Sequence, residues 1–377
     1  MEAEASIADV PLHVGDSLLP TKTLLMNVLA LVLVVVLARF YVLKPRRLPP
    51  GPTGWPLLGC LPYLKTKPLR YLSALGEQYG SVFSIYMGGR LAVILNDYEA
   101  VREAFEENGD AFGGRTPFYL LQVGKQDSRG EVHVVIKLQL SRCDQDGYEE
   151  LKMLIHNLLV AGTETSATRL NWGLIYLSLN PQVQINVQQE LDEVVGRGRQ
   201  PGINDRKNLP YTEATVWNTQ MWYAVKQLMT YEMKCFRTNE SKLTSSPRNT
   251  SALGLPHATT RAVNFRGFDI PARTMIIPHM AHLMNDPKKF TDPEKFQPSR
   301  FLDEQGKFIG SPFVIPYSVG PRVCLGKTLA NMEIYLVVSC ILQSFTLKMA
   351  EEEPTPELNP DTVMRHPPPC KLIFDPR

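Results

Sequence analysis

The sequence predicts a mainly α-helical protein with a small β region and one N-terminal transmembrane helix. The first observation is an almost uninterrupted apolar run from Thr23 to Leu43. The second is a pair of strand-like runs, Ser81 to Met87 and Arg90 to Leu95, joined at Gly88-Gly89. The third is the helical pattern of Tyr148 to Leu179, which is apolar on nearly every side and therefore belongs in a protein centre or a membrane.

Composition limits the classes of function. The 377 residues are 44% hydrophobic, enough for one large or two ordinary domains with a substantial core. A net charge of +2 is nearly balanced, so we expect no nucleic acid partner. The six cysteines show no CxxC pair, zinc spacing or disulfide framework, so all but Cys324 are interpreted as free thiols: Cys60, Cys143, Cys235, Cys340 and Cys370.

The apolar run at residues 23–43 predicts a single membrane anchor, because a helix of that length spans roughly 30 Å of hydrocarbon. Basic residues follow it and acidic residues precede it, which places residues 1–22 in the lumen and the body of the chain in the cytosol. A cleaved signal peptide is the alternative, but its positive charges would lie on the other side.

Residues 44–56 predict a stiff, proline-rich hinge, since proline fixes φ and disfavours helix in its predecessor. A ligand for an SH3-type domain is the alternative, although the position directly after an anchor argues against it. The rest of the chain, residues 57–377, is expected to form one domain. It is interrupted by an irregular junction at 123–147, which holds one apolar strand at Val132 to Ile136, and by a polar insert at 218–250.

Further elements follow from local signals in the chain. A short helix is expected from Leu69 to Tyr79, and Asp97 is expected to cap the next helix. Asn180-Pro181 is expected to end the long helix and to cap a helix from Gln182 to Val195. Another helix begins near Leu209, and a hairpin is expected around Arg266-Gly267.

The long helix is interrupted by small and polar residues from Ala161 to Ser166. Such groups are costly inside an apolar helix unless they contact something polar. Glu164 and Thr165 are therefore candidates for proton delivery. A local kink, satisfied by a threonine hydroxyl bonding back to the helix, is the alternative that the residue types alone favour.

The segment from Pro316 to Gly326 places Cys324 between two glycines and two residues after Arg322. An amphipathic helix is predicted immediately afterwards, with one face buried through Leu325, Leu329, Met332, Leu336 and Cys340. At the N-terminal end of that helix a thiolate would be stabilised. Gly320 and Gly326 permit a tight turn, and Arg322 suits a carboxylate. A buried structural cysteine is the alternative.

The segment from Pro316 to Gly326 resembles the haem-binding loop of the cytochrome P-450 family, the haem-thiolate monooxygenases. The resemblance implies that Cys324 is the axial ligand of the iron of haem b, that Arg322 and His257 meet the haem propionates, and that Tyr317, Gly320 and Gly326 belong to the loop. Ala161-Gly162-x-Glu164-Thr165 is similar to the oxygen-activating signature of the same family. There, glycine makes room above the iron, and the acid and alcohol guide protons.

The chain departs from the family at several positions. Tyr317 stands where the family usually has Phe, and Asn218 and Met221 stand where Glu-x-x-Arg is expected. No Trp-x-x-x-Arg motif is found. Arg300, the downstream arginine of the buried cluster, must therefore find other acceptors or stay solvated.

The resemblance implies an incomplete cytochrome P-450-like fold of the microsomal class, near family 2, anchored in the endoplasmic reticulum membrane. It also implies insertion of one atom of O₂ into a small apolar substrate, such as a fatty acid, steroid or xenobiotic. The electrons would come from NADPH through a membrane flavoprotein reductase. Leu253 and Leu255 are expected to line the substrate pocket. The alternative is an inactive, membrane-anchored haem-binding paralogue or a truncated splice or gene-model product.

Overall fold

The computed structural model describes residues 19–41, 47–64, 68–115, 145–225, 253–293, 295–350 and 370–377. Within these ranges the α-helices are α1 (Leu19–Tyr41), α2 (Leu61–Leu64), α3 (Pro68–Tyr79), α4 (Tyr98–Arg102), α5 (Gly109–Phe112), α6 (Gln145–Leu179), α7 (Pro181–Val194), α8 (Pro210–Val225), α9 (Met280–Leu283) and α10 (Lys327–Ser344). The strands are β1 (Val82–Met87), β2 (Arg90–Leu95), β3 (His257–Ala258), β4 (Val263–Phe265), β5 (Phe268–Ile270), β6 (Met275–Pro278), β7 (Phe345–Met349) and β8 (Leu372–Pro376). The mainly helical class with small sheets is confirmed.

The apolar run near the N-terminus is helical, as α1, and the side chains of residues 23–35 are exposed. In the described part of the chain, however, no helix is long and apolar enough to cross a bilayer. The hinge that follows is tied to the body, because Ser84 donates a hydrogen bond of 2.7 Å to the carbonyl oxygen of Pro49.

The largest sheet has the strand order β1-β2-β6-β3. The predicted hairpin of β1 and β2 is confirmed, with Val82 opposite Leu95 and Met87 opposite Arg90. Asp97 caps α4 as expected, since its carboxylate accepts a hydrogen bond of 2.6 Å from the amide of Ala100. β2 and β6 are parallel, so the sheet joins two parts of the chain that are far apart in sequence.

Helices α6, α7, α8 and α10 pack together around an apolar core. Its largest fully buried member is Tyr335 of α10, and Leu177 of α6 and Leu191 of α7 are also inaccessible to solvent. The expected helix boundaries at residues 179–182 are confirmed. Asn180 occupies the N-cap position of α7 as expected, but its side chain makes no capping hydrogen bond there, because its amide donates to the carbonyl oxygen of Tyr176 at the end of α6.

The buried face of α10 differs from the predicted one. Leu325 is 90% exposed and Leu329 is 60% exposed, whereas the buried apolar face is formed by Ile334, Tyr335, Val338 and Leu342. The helix carries apolar side chains around most of its circumference, so spacing alone could not decide which stripe would face α6 and α7.

Some predicted features lie outside the described residues: the strand at Val132 to Ile136, most of the insert after Val225, and Cys143 and Cys235. Among the described cysteines, Cys60, Cys324, Cys340 and Cys370 are free thiols.

Candidate functional site

The Cys324 loop, residues 316–326, is a sequence of tight turns. Gly320 has φ = +78°, and Ser318 also adopts a left-handed conformation with φ = +63°. The amide of Val323 donates to the carbonyl oxygen of Gly320 at 3.0 Å, and the amide of Cys324 donates to that of Tyr317 at 3.0 Å. The loop therefore folds back on itself and fixes the backbone of the cysteine.

Cys324 lies just before α10, whose N-terminal cap is Gly326. The carbonyl oxygen of Cys324 accepts a hydrogen bond of 3.2 Å from the amide of Lys327. The thiol belongs to an exposed residue, which contradicts the alternative of a buried structural cysteine. Leu325 and Leu329, which follow it in the chain, are also exposed, so apolar side chains are accessible near the cysteine.

Three basic side chains converge near this loop. Arg322 donates to the carbonyl oxygen of Gly113 at 2.8 Å. Arg115 donates to the carbonyl oxygens of Leu255 and Pro256 at 3.4 and 3.1 Å. His257 is buried and stacks on the ring of Phe105, with 3.8 Å between ring centroids, and its Nδ1 lies 2.9 Å from the carbonyl oxygen of Phe112.

The electrostatics of this basic cluster, Arg115, His257 and Arg322, favour an anion. Burial, together with the charges of Arg115 and Arg322, lowers the pKa of His257 to about 4. Desolvation and the charge of Arg322 also lower the pKa of Arg115. The hydrogen bonds of Arg115 and Arg322 described above go to backbone carbonyl groups, so those bonds do not neutralise the two guanidinium charges, and the lowered pKa leaves His257 neutral near pH 7. An incoming carboxylate would relieve this repulsion.

Arg115 was not singled out from the sequence. It follows Gly113-Gly114 and has no distinctive spacing to another charged or polar residue. An isolated bridge between Gly114 and Ala258 brings it beside His257, and that pairing of distant residues has no sequence signal.

The middle of α6 turns its polar residues toward open space. Ala161, Gly162, Glu164 and Thr165 are all exposed, and a Cβ added at Gly162 would meet nothing within 4 Å. The Thr165 hydroxyl donates to the carbonyl oxygen of Ala161 at 2.6 Å, which is the back-bonding considered above as the alternative. One residue further on, buried Ser166 donates to Glu333 of α10 at 3.2 Å, so this part of α6 lies against the helix that follows Cys324.

The two positions expected for Glu-x-x-Arg lie on α8. Asn218 and Met221 are both completely buried. Among the described residues, neither polar atom of the Asn218 amide has a hydrogen-bond partner. Arg300 donates to the carbonyl oxygens of Thr291 and Lys295, each at 2.8 Å, so its guanidinium serves loop carbonyls instead of the missing pair.

We expect Asn218→Leu to raise the free energy of unfolding by about 1–3 kcal/mol, because it removes two buried, unpaired polar atoms and keeps the number and branching of the side-chain heavy atoms. Urea titration of the full chain measures this change. Asn218→Asp is the matched control, since it keeps the shape and buries a charge, and it should destabilise. A loss of stability in Asn218→Leu would show that the amide has a partner in solution.

The residues around Cys324 fit an iron porphyrin. An accessible thiol can supply an axial sulfur ligand. The exposed leucines offer an apolar surface to a flat ring, and the basic cluster offers charge and hydrogen-bond donors to its carboxylates. The geometry brings Cys324, Arg322 and the neighbourhood of His257 together, and the bond from Ser166 to Glu333 holds the polar turn of α6 against the helix that follows Cys324.

Comparison with known proteins points the same way. The family model described as cytochrome P450 matches residues 49–134, 135–230 and 248–374. Cytochrome P450 2C23 of Rattus norvegicus is 37% identical over 231 residues, which cover 61% of this chain and 42% of the relative. Cytochrome P450 2E1 of Oryctolagus cuniculus is 36% identical over the same shares of the two chains. The matched part thus spans less than half the length of these curated relatives.

Proposed function

The chain belongs to the cytochrome P450 family, and from that premise we propose that it is a haem-thiolate monooxygenase. The reaction inserts one atom of O₂ into a small apolar substrate and reduces the other to water. Electrons come from NADPH through a flavoprotein reductase. The observation that carries the proposal is the exposed thiol of Cys324, held between an apolar surface and a cluster of basic side chains.

Haem b, when bound, would supply the activation of oxygen, favoured by electron donation from a thiolate ligand. Cys324 provides the sulfur, and the hydrogen bond from its backbone amide to the carbonyl oxygen of Tyr317 fixes its position. Arg322, Arg115 and His257 would hold the propionates. A carboxylate beside His257 favours the protonated imidazole, so binding of the group opposes the effects that lower the pKa of this histidine.

Glu164 and Thr165 hold and pass protons on the α6 side of the site. Both are exposed, so water can reach them. The hydroxyl of Thr165 donates to Ala161 and thereby keeps its own oxygen available as an acceptor. Gly162 leaves space beside them. Leu255, which is 51% exposed, contributes apolar surface for the substrate, whereas Leu253 is partly buried and packs against the cluster of Leu69 and Ala281.

We further propose that the protein is attached to the endoplasmic reticulum membrane through α1, with its body in the cytosol. The exposed apolar side chains along residues 23–35 support this attachment, since they would otherwise face water. The proline-rich hinge then connects the attached helix to the first strand of the sheet, through the bond from Ser84 to Pro49.

A second candidate is a haem-binding paralogue without turnover, or a truncated product that binds no haem. The amide of Asn218, which is buried without a hydrogen-bond partner among the described residues, favours this candidate. Asn218 and Met221 stand where the resemblance implies a Glu-x-x-Arg pair in a buried polar cluster. Arg300 is already committed to backbone carbonyls and does not replace that cluster.

Spectroscopy and turnover separate these candidates. The full chain, purified with haem present, is reduced and treated with CO, and NADPH oxidation is then followed with a microsomal reductase and an apolar substrate. The red-shifted Soret band of a thiolate haem together with substrate-dependent turnover supports the monooxygenase. The band without turnover supports the paralogue, and failure to take up haem rejects the monooxygenase.

A further inference from the structure

Tyr317 is the point at which two helices, α6 and α10, reach the Cys324 loop. Its side chain is buried, and the guanidinium of Arg169 on α6 lies 4.4 Å from the centre of its ring. Its hydroxyl donates a hydrogen bond of 2.7 Å to Oδ1 of Asn331 on α10. Its carbonyl oxygen accepts the amide of Cys324 at 3.0 Å. The residue therefore links the bond network of the helices directly to the backbone of the cysteine.

Asn331 extends this link to α8. Its Oδ1 accepts a second hydrogen bond, of 2.8 Å, from the side-chain amide of Gln220. Gln220 is almost completely buried and precedes Met221, the position at which the family arginine is missing. The Tyr317 hydroxyl and the Gln220 amide thus both donate to Oδ1 of Asn331, which connects α8, α10 and the Cys324 loop.

The protonation state of Tyr317 suits this role. A phenol carries its proton near neutral pH. The hydroxyl therefore acts as a donor, and Asn331 must present its carbonyl oxygen to it.

We propose that Tyr317, Asn331 and Gln220 form a positioning network that holds the Cys324 loop against α8 and α10, in place of the missing Glu-x-x-Arg pair. A phenylalanine at position 317, as is usual in the family, has no hydroxyl with which to join it. This chain therefore has an additional hydrogen-bond donor, the Tyr317 hydroxyl, and lacks the Glu-x-x-Arg pair expected on α8. The inference rests on the proposed function only for the purpose of the loop; the network itself is a property of the chain without haem.

Hydrogen–deuterium exchange of the full chain without added haem tests the network. The measured quantity is the exchange rate of the peptide that contains the amide of Cys324. Tyr317→Phe removes one buried bond of the network, and we expect exchange there to become about five- to tenfold faster. Asn331→Leu should have a similar effect, and the double variant should exchange little faster than either single variant, because both changes break the same link.

Tyr211→Phe is the matched control. The Tyr211 hydroxyl accepts a bond of 3.1 Å from Asn186, away from the loop, so its loss should leave exchange at Cys324 unchanged. Should Asn331→Leu fail to fold, the conservative Tyr317→Phe alone decides the question. Wild-type exchange at Cys324 in Tyr317→Phe would overturn the proposal. If the wild-type protein gives no CO spectrum but Tyr317→Phe exchanges faster, the monooxygenase is rejected and the network stands.

Discussion

Cys324→Ala is expected to abolish the red-shifted Soret band of the reduced, CO-treated protein, together with all substrate-dependent NADPH oxidation. The band requires a sulfur ligand to the iron, and alanine offers no donor atom. Because Cys324 is exposed, its sulfur packs against little, and the free energy of unfolding without haem should change by less than about 0.5 kcal/mol. Loss of the band will therefore report ligation rather than unfolding.

Cys340→Ala provides the control for this experiment. Cys340 lies on α10, and burial raises the pKa of its thiol, which makes a thiolate unfavourable there. This variant should keep the band. A band that survives Cys324→Ala and disappears in Cys340→Ala would transfer the ligand to a different sulfur and remove the basis of the proposed reaction.

The sequence was informative wherever a local rule fixes the structure. The hairpin of β1 and β2, the cap at Asp97 and the turn at Gly320 follow from turn chemistry and side-chain oxygens that act within a few residues. The same is true of the start of α10 shortly after Cys324. These features need no knowledge of the rest of the molecule.

What the sequence did not reveal depends on distant contacts. The side of α10 that is buried depends on its packing against α6 and α7. Because apolar residues occur around most of α10, the sequence pattern predicted that Leu325 and Leu329 would be buried, and this was wrong. Arg115 joins the basic cluster only because β3 pairs near Gly114. Asn218 could be recognised as a substitution, but its lack of partners is a property of the packed core.

Gly320→Ala is expected to be the most destabilising conservative change in the Cys324 loop. A Cβ at this position would lie 1.8 Å from the carbonyl oxygen of Phe105, and the backbone has φ = +78°. The left-handed conformation alone costs alanine about 1 kcal/mol, and the backbone displacement should bring the total to at least about 3 kcal/mol. Since Phe105 stacks on His257, the displacement should also disturb the basic cluster.

Gly267→Ala separates the two contributions to this loss. Gly267 has φ = +82°, nearly the same conformation, but a Cβ there would meet nothing within 4 Å. Urea unfolding should therefore give a loss of about 1 kcal/mol for Gly267→Ala, and the excess in Gly320→Ala measures the contact with Phe105. Equal losses in the two variants would mean that the loop can move away from Phe105 at little cost. The close approach between the loop and Phe105 would then not determine where Cys324 lies.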